Sequence, residues 1–167
     1  PWPISAEKKG TSVSQPDVIA EMMKELDVRE GNKVLEVGTA SGYQAALLEK
    51  VVGNSGAVFT TEIDRDLPIW AKSNLQRANT NRVHQIIGDL ALLNCGSGTF
   101  DRVIYTASLP PSPLEYQPFI DKLNPNGKIV APLGGFGVSG YCHLLTIQKD
   151  ENGKVGGKLN LDMPLQF

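Results

Sequence analysis

Apolar positions recur along the chain in two rhythms. Val18, Ile19, Met22, Met23 and Leu26 stand at helical spacing and predict a helix with one apolar face. Ser14, two places before Pro16, reads as its N-cap, with Pro16 and Asp17 in the first turn. Short apolar runs bounded by turn residues predict strands over 33–37, 57–61, 83–87, 100–106 and 128–132. Residues 43–50, 68–78 and 114–123 read as the intervening helices, and Asn124-Pro-Asn-Gly127 reads as a stop signal. Strands alternating with helices predict an α/β fold, a Rossmann-like doubly wound and mostly parallel sheet. The rhythm then changes. Gly134-Gly-Phe-Gly137 is too short to hold a crossover helix, and 141–149, the turn 150–153 and a stretch near 158–165 read as a closing antiparallel hairpin. The order of the last strands is left open. Residues 1–13, with two prolines, a Trp and a Lys-Lys-Gly turn, read as an irregular lead-in.

Composition narrows the class without naming a chemistry. At 167 residues, 41% hydrophobic and 20% charged, the chain reads as one globular domain over 1–167. A net charge of −2 offers no general field for nucleic acid. Cys95 and Cys142 form no CxxC and no zinc spacing, so the expectation is reduced thiols, a cytoplasmic location and no metal. His84 and His143 are isolated and read as structural. No apolar run is long enough to span a membrane and no signal-peptide pattern opens the chain. A monomer is expected.

The chemistry gathers after the first strand. Gly38, Ala40, Ser41 and Gly42 crowd the turn between 33–37 and the helix that begins at Tyr43. Small side chains there let a ligand approach backbone. A dinucleotide fingerprint needs Gly at the first, third and sixth places, which here hold Gly38, Ala40 and Tyr43. No Gly-Lys-Ser/Thr ending follows, which excludes a P-loop. A ligand with an amino-acid end and a ribose, such as S-adenosylmethionine, suits the turn better than a pyrophosphate; a tight turn without a ligand is the plainer alternative. Glu62 closes the second strand at the interval after Gly38 where a doubly wound fold places a ribose-binding acid. Gly88-Asp89 closes the third, beside where a nucleoside would lie.

These residues resemble a family. Val34-Leu-Glu-Val-Gly-Thr-Ala-Ser-Gly-Tyr43 is similar to the first motif of class I S-adenosylmethionine-dependent methyltransferases. Gly10-Thr-Ser-Val-Ser-Gln-Pro16 resembles the segment Gly-Gln-Thr-Ile-Ser-Gln/Ala-Pro of protein-L-isoaspartate O-methyltransferases. Phe100-Asp-Arg-Val-Ile-Tyr-Thr-Ala107, Leu123-Asn-Pro-Asn-Gly-Lys128 and Met163-Pro-Leu165 follow in that family's order. The resemblance implies S-adenosylmethionine as cofactor and S-adenosylhomocysteine as product. It implies cofactor contacts at Glu36, Gly38, Thr39, Ala40, Ser41, Gly42, Tyr43, Glu62, Ile63, Gly88, Asp89 and Leu90. It gives Ser14 the family's catalytic serine, and it implies substrate contacts at Ser12, Val13, Thr106 and Ala107. Ala40 stands where the family usually has Gly, Asp17 where many members have His, and the family's longer N-terminal helical region is absent.

The implied activity is protein repair. Methyl transfer to an isoaspartyl carboxylate in a damaged protein or peptide gives an ester that cyclises to a succinimide and reopens partly as normal aspartate. An aspartyl carboxyl is already ionised at neutral pH, so positioning rather than a strong base is needed. Ser14 suits that task as a neutral donor, although as a helix cap its one hydroxyl would be spent elsewhere. Three alternatives stay open: a peptide-specific aspartate methyltransferase, a module that binds isoaspartyl or imide ends without turnover, and a methyltransferase acting on a small molecule or RNA, against whose nucleic-acid form the near-neutral charge counts.

Overall fold

The computed structural model of the chain describes residues 14–88, 98–107, 113–134 and 141–166. Its strands are β1 (Lys33–Val37), β2 (Ala57–Glu62), β3 (Val83–Ile87), β4 (Phe100–Tyr105), β5 (Leu123–Gly134), β6 (Tyr141–Lys149) and β7 (Val155–Gln166). They form one sheet in the order β3-β2-β1-β4-β5-β6-β7. The first five run parallel, and β6 and β7 return antiparallel. The helices are α1 (Pro16–Leu26), α2 (Tyr43–Val52), α3 (Leu67–Arg77) and α4 (Pro113–Asp121). The fold is the mostly parallel α/β sheet with an antiparallel end that the pattern predicts. The lead-in over 1–13 lies outside the described residues.

Alternation along β1 divides the core. Successive strand side chains point to opposite faces. Val34 joins a cluster with Val18, Met22 and Leu26 of α1, Ala46 and Leu48 of α2, and Leu75 of α3. Leu35, its neighbour, joins Tyr116 and Phe119 of α4 on the other face. Burial on both faces is what a parallel sheet requires. The order of the strands reverses beside β1: from it the chain proceeds outward to β2 and β3, then resumes at β4 on the opposite side. That is the switch point of a doubly wound sheet, where ligands settle at the carboxyl ends.

Two expectations are corrected. The N-cap of α1 is Gln15, not Ser14, and it makes no side-chain cap bond. The Ile19 N–H donates to the Gln15 carbonyl at 3.1 Å, which makes Gln15 the half-helical residue. Pro16 then takes the first helical position, where its fixed φ is already correct. The expected stripe is otherwise observed: Val18, Ile19, Met22 and Leu26 are buried and Met23 packs against the same cluster. The second correction concerns Asn124-Pro-Asn-Gly127. It interrupts β5 but does not precede it: Phe100 pairs with Leu123 and Arg102 pairs with Lys128, so the segment between bulges out of the ladder. Asn126 supplies the turn with φ 63, a conformation Asn tolerates better than most residues.

Asp101 fastens that bulge to the start of β1. One carboxylate oxygen accepts the Lys33 backbone N–H at 2.7 Å and the other accepts Asn124 Nδ2–H at 2.8 Å. Asp101→Ala leaves both donors unmatched in a half-buried place. The expected loss is ~1–3 kcal/mol of folding stability, read as a lower urea midpoint with an unchanged slope, and Asp101→Asn is expected to lose less.

Candidate active site

The turn after β1 is built where backbone elements nearly touch. Gly38 has φ 104, and a Cβ on it would come within 2.3 Å of Thr106 Oγ1. The Thr106 hydroxyl lies 2.7 Å from the Gly38 carbonyl and 3.1 Å from that of Val37, fastening the tip of β1 to the tip of β4. Gly42, the N-cap of α2, has φ 80 and packs under Leu75 and Ala71 of α3. Asn74 donates from α3 to the Ser41 carbonyl at 3.0 Å. From the other side, Glu62 at the end of β2 accepts the Ala40 N–H at 2.9 Å through Oε2. Its Oε1 accepts the N–H groups of Ile63 and Asp64 at 2.9 and 3.2 Å. A carboxylate has about four acceptor sites, so Oε2 keeps one for a ligand hydroxyl.

Two hollows flank Gly38. The smaller, about 50 Å³, is lined by Ser14, Ile19, Glu36, Gly38, Thr39, Ala40, Ser41, Tyr43, Gln44 and Thr106. The larger, about 240 Å³, is lined by Val37, Gly38, Thr61, Glu62, Ile63, Gly88 and Ala107. The structure therefore brings Ser14 and the first-motif residues into one hollow, and Glu62, Ile63 and Gly88 into the other. Thr106 and Ala107, expected together against substrate, face different hollows. Gly42 lines neither and shapes the helix start instead. Ser12, Val13, Asp89 and Leu90 lie outside the described residues. Gln44, Ile19, Val37 and Thr61 were not expected. Gln44 carried a signal: it is a polar residue in a helix whose inward positions are otherwise mostly apolar, such as Ala45, Leu48 and Val52.

Beneath the smaller hollow runs a buried polar chain. Glu36 and Thr60 are opposite partners in the β1–β2 register. Both are fully buried, and the Thr60 hydroxyl donates to Glu36 Oε2. With its proton spent, Thr60 accepts from Thr39 Oγ1 at 2.8 Å. Glu36 Oε1 has no partner among the described residues. Burial pushes the Glu36 carboxyl up from 4.5 to about 8; the Thr60 hydrogen bond opposes the rise and the charge of Glu62 adds to it. At neutral pH this carboxyl is mostly protonated in the free protein. Among the described residues no cluster of His, Cys, Asp or Glu could hold a metal ion, and no helix is long and apolar enough to cross a membrane.

The family model for protein-L-isoaspartate(D-aspartate) O-methyltransferase matches residues 1–164. Protein-L-isoaspartate O-methyltransferase 2 of Rhodopseudomonas palustris is 38% identical over 146 residues, covering 86% of this chain and 63% of that protein. Protein-L-isoaspartate O-methyltransferase of Pyrococcus horikoshii is 36% identical over 155 residues, 93% of this chain and 66% of that protein. The chain thus spans just under two thirds of these relatives' length. A solved protein-L-isoaspartate O-methyltransferase superposes with a TM-score of 0.79 at 23% identity, covering 98% of this chain and 50% of that one; that likeness carries the fold. A SAM-dependent O-methyltransferase from Thermotoga maritima gives a TM-score of 0.64 at 26% identity, over 74% of this chain and 46% of that one.

Two measurements test the site's energetics. Ala40 sits at φ 43, in the left-handed region. Ala40→Gly is expected to raise stability by ~1 kcal/mol, read as a higher urea midpoint, and Ala40→Val to lower it. Glu36 is an acid whose folded pKa lies above its ordinary value. The stability it contributes is fully present below pH 4.5 and is lost as pH rises to about 8. The loss is up to ~1.4 kcal/mol per pH unit in that window. Glu36→Gln is therefore expected to gain on the unsubstituted protein as pH rises from 5 to 8, by denaturation at each pH. A difference independent of pH would show that Glu36 does not titrate in this way.

Proposed function

The chain belongs to the protein-L-isoaspartate(D-aspartate) O-methyltransferase family, and on that premise we propose that it methylates the carboxylate of L-isoaspartyl or D-aspartyl residues in damaged proteins and peptides. The observation that supports this reading best is the company Ser14 keeps. Its residue lines the same small hollow as Gly38, Thr39 and Ala40 of the first-motif turn, and its hydroxyl is not spent on capping α1.

The residues present fit S-adenosylmethionine. The larger hollow, with Glu62 in its wall, has room for a nucleoside and one acceptor site for a ribose hydroxyl. The smaller holds a buried, unpartnered carboxyl oxygen of Glu36 toward an amino-acid end. When bound, the cofactor would supply a sulfonium methyl carbon open to a carboxylate oxygen, with the thioether S-adenosylhomocysteine as the leaving group. Ser14 donates to one oxygen of the substrate carboxylate and leaves the other free to attack. The carboxylate arrives ionised, so no side chain needs to remove a proton. The walls contributed by Ile19 and Tyr43 exclude water from the opposed charges, and the benefit is one of orientation and desolvation. The methyl ester is a better electrophile than the acid. The following backbone nitrogen closes on it, methanol leaves, and the resulting succinimide opens partly to normal aspartate.

The test pairs an isoaspartyl peptide with its aspartyl twin, each incubated with methyl-labelled S-adenosylmethionine. Label is expected on the isoaspartyl peptide alone. Label on neither, with S-adenosylhomocysteine binding intact by calorimetry, would leave a recognition module and overturn transfer. Ser14→Ala is expected to lower kcat/KM about 10- to 100-fold, the effect of one hydrogen bond to a charged group. Its affinity for S-adenosylhomocysteine should stay within about twofold.

A further inference from the structure

Two buried polar atoms beside the smaller hollow lack partners among the described residues, and they are of opposite sense once the carboxyl ionises, as a neighbouring cation favours: Glu36 Oε1, an acceptor, and Gln44 Nε2, a donor. Buried polar groups without partners are rare in folded proteins, and a pair lining one hollow marks a place that a ligand completes. Gln44 is 8% exposed and stands in the first turn of α2. It shares a helix with Ala45, Leu48 and Val52, each no more than 1% exposed, so packing alone would be served by an apolar side chain. The first turn of α2 carries no acidic residue and its N-cap makes no side-chain bond. Ser41 Oγ accepts the Tyr43 N–H at 3.3 Å, but no acid of the first turn offsets the positive end of the helix dipole beside the Gln44 amide, and that end favours an anionic group.

Resting on the reading above, we infer that Gln44 is a specificity-determining residue for the cofactor: its side-chain N–H donates to the carboxylate of the cofactor's amino-acid end, while Glu36 Oε1 takes the ammonium. The two atoms together read a zwitterion. A hollow of about 50 Å³ suits that small group, and the base and ribose go to the larger hollow across Gly38. Both residues line this hollow, but Ser14 is half-exposed where Gln44 is buried, so a peptide that meets Ser14 has less access to Gln44.

The experiment is isothermal calorimetry on the full chain with two ligands. S-adenosylhomocysteine carries the amino-acid end and 5′-methylthioadenosine lacks it. Gln44→Leu is expected to weaken S-adenosylhomocysteine at least 10-fold and to leave 5′-methylthioadenosine within twofold. Gln44→Glu keeps the size but brings a negative charge to the carboxylate, and it is expected to lose as much or more for the first ligand alone. The unchanged second ligand doubles as the check on folding. Equal loss of both ligands would make Gln44 a packing residue and overturn the inference. So would unchanged S-adenosylhomocysteine binding with a raised KM for the isoaspartyl peptide. If the unsubstituted chain bound neither ligand, the cofactor reading itself would fall, a result distinct from the other two.

Discussion

The turn after β1 keeps its shape because side chains from the strands on either side hold its backbone. Glu62, at the end of β2, accepts the Ala40 N–H. Thr106, just past β4, reaches the Gly38 carbonyl. A small-residue turn has little of its own to define it, since Gly costs conformational entropy and Ala offers few contacts. Fixing it from two neighbours converts a floppy sequence into a defined cradle. The arrangement also explains why the turn needs its place in the sheet. With β1 between β2 and β4, each neighbour can supply one clamp, and neither clamp exists before the sheet forms.

The two acids at this end of the sheet are treated differently. Glu62 receives three backbone N–H groups and acts as structure on one edge and as a site wall on the other. Among the described residues Glu36 receives one hydroxyl, from Thr60, and no cation, and it stands on the face of β1 that α1 and α2 cover. Burial without a partner raises its pKa. A group held this way costs stability as it ionises, which a Gln at the same place does not. Such local inconsistency is expected at functional positions, where sequence choices answer to a ligand as well as to folding.

Much of this was legible in the chain. The limits of β1, β3 and β6 match the apolar runs, because small or turn residues close each run and leave little freedom in where the strand stops. The motifs at 10–16 and 34–43 point to the family whose model matches residues 1–164. What misled was local chemistry with two uses. Asn124-Pro-Asn-Gly127 has the composition of a loop, and a bulge inside β5 needs the same composition; the partner that decides between them, Asp101, is distant in sequence. Ser14 looked like a cap by type and spacing, but the carbonyl that accepts the first helical bond belongs to Gln15. Thr60 could not be singled out from local pattern, since it meets Glu36 only through the β1–β2 register, and the polarity of Gln44 among apolar neighbours marked that residue without showing what it faces.

That displaced cap bears on mechanism more than on stability. Had Ser14 been the N-cap, its oxygen would have accepted an N–H of the first helical turn, and its position would have been tied to the helix. With Gln15 in that role at φ −55 and ψ 142, the chain is extended just before the helix, and Ser14 is set on the approach to the hollow. Pro16 makes this possible: it disfavours helical backbone at Gln15 and has no N–H that a cap would need to satisfy. The sequence Ser-Gln-Pro then works as a unit in physical terms. Proline fixes where the helix begins, glutamine absorbs the capping geometry through its backbone, and the serine is left beside the hollow without the capping role.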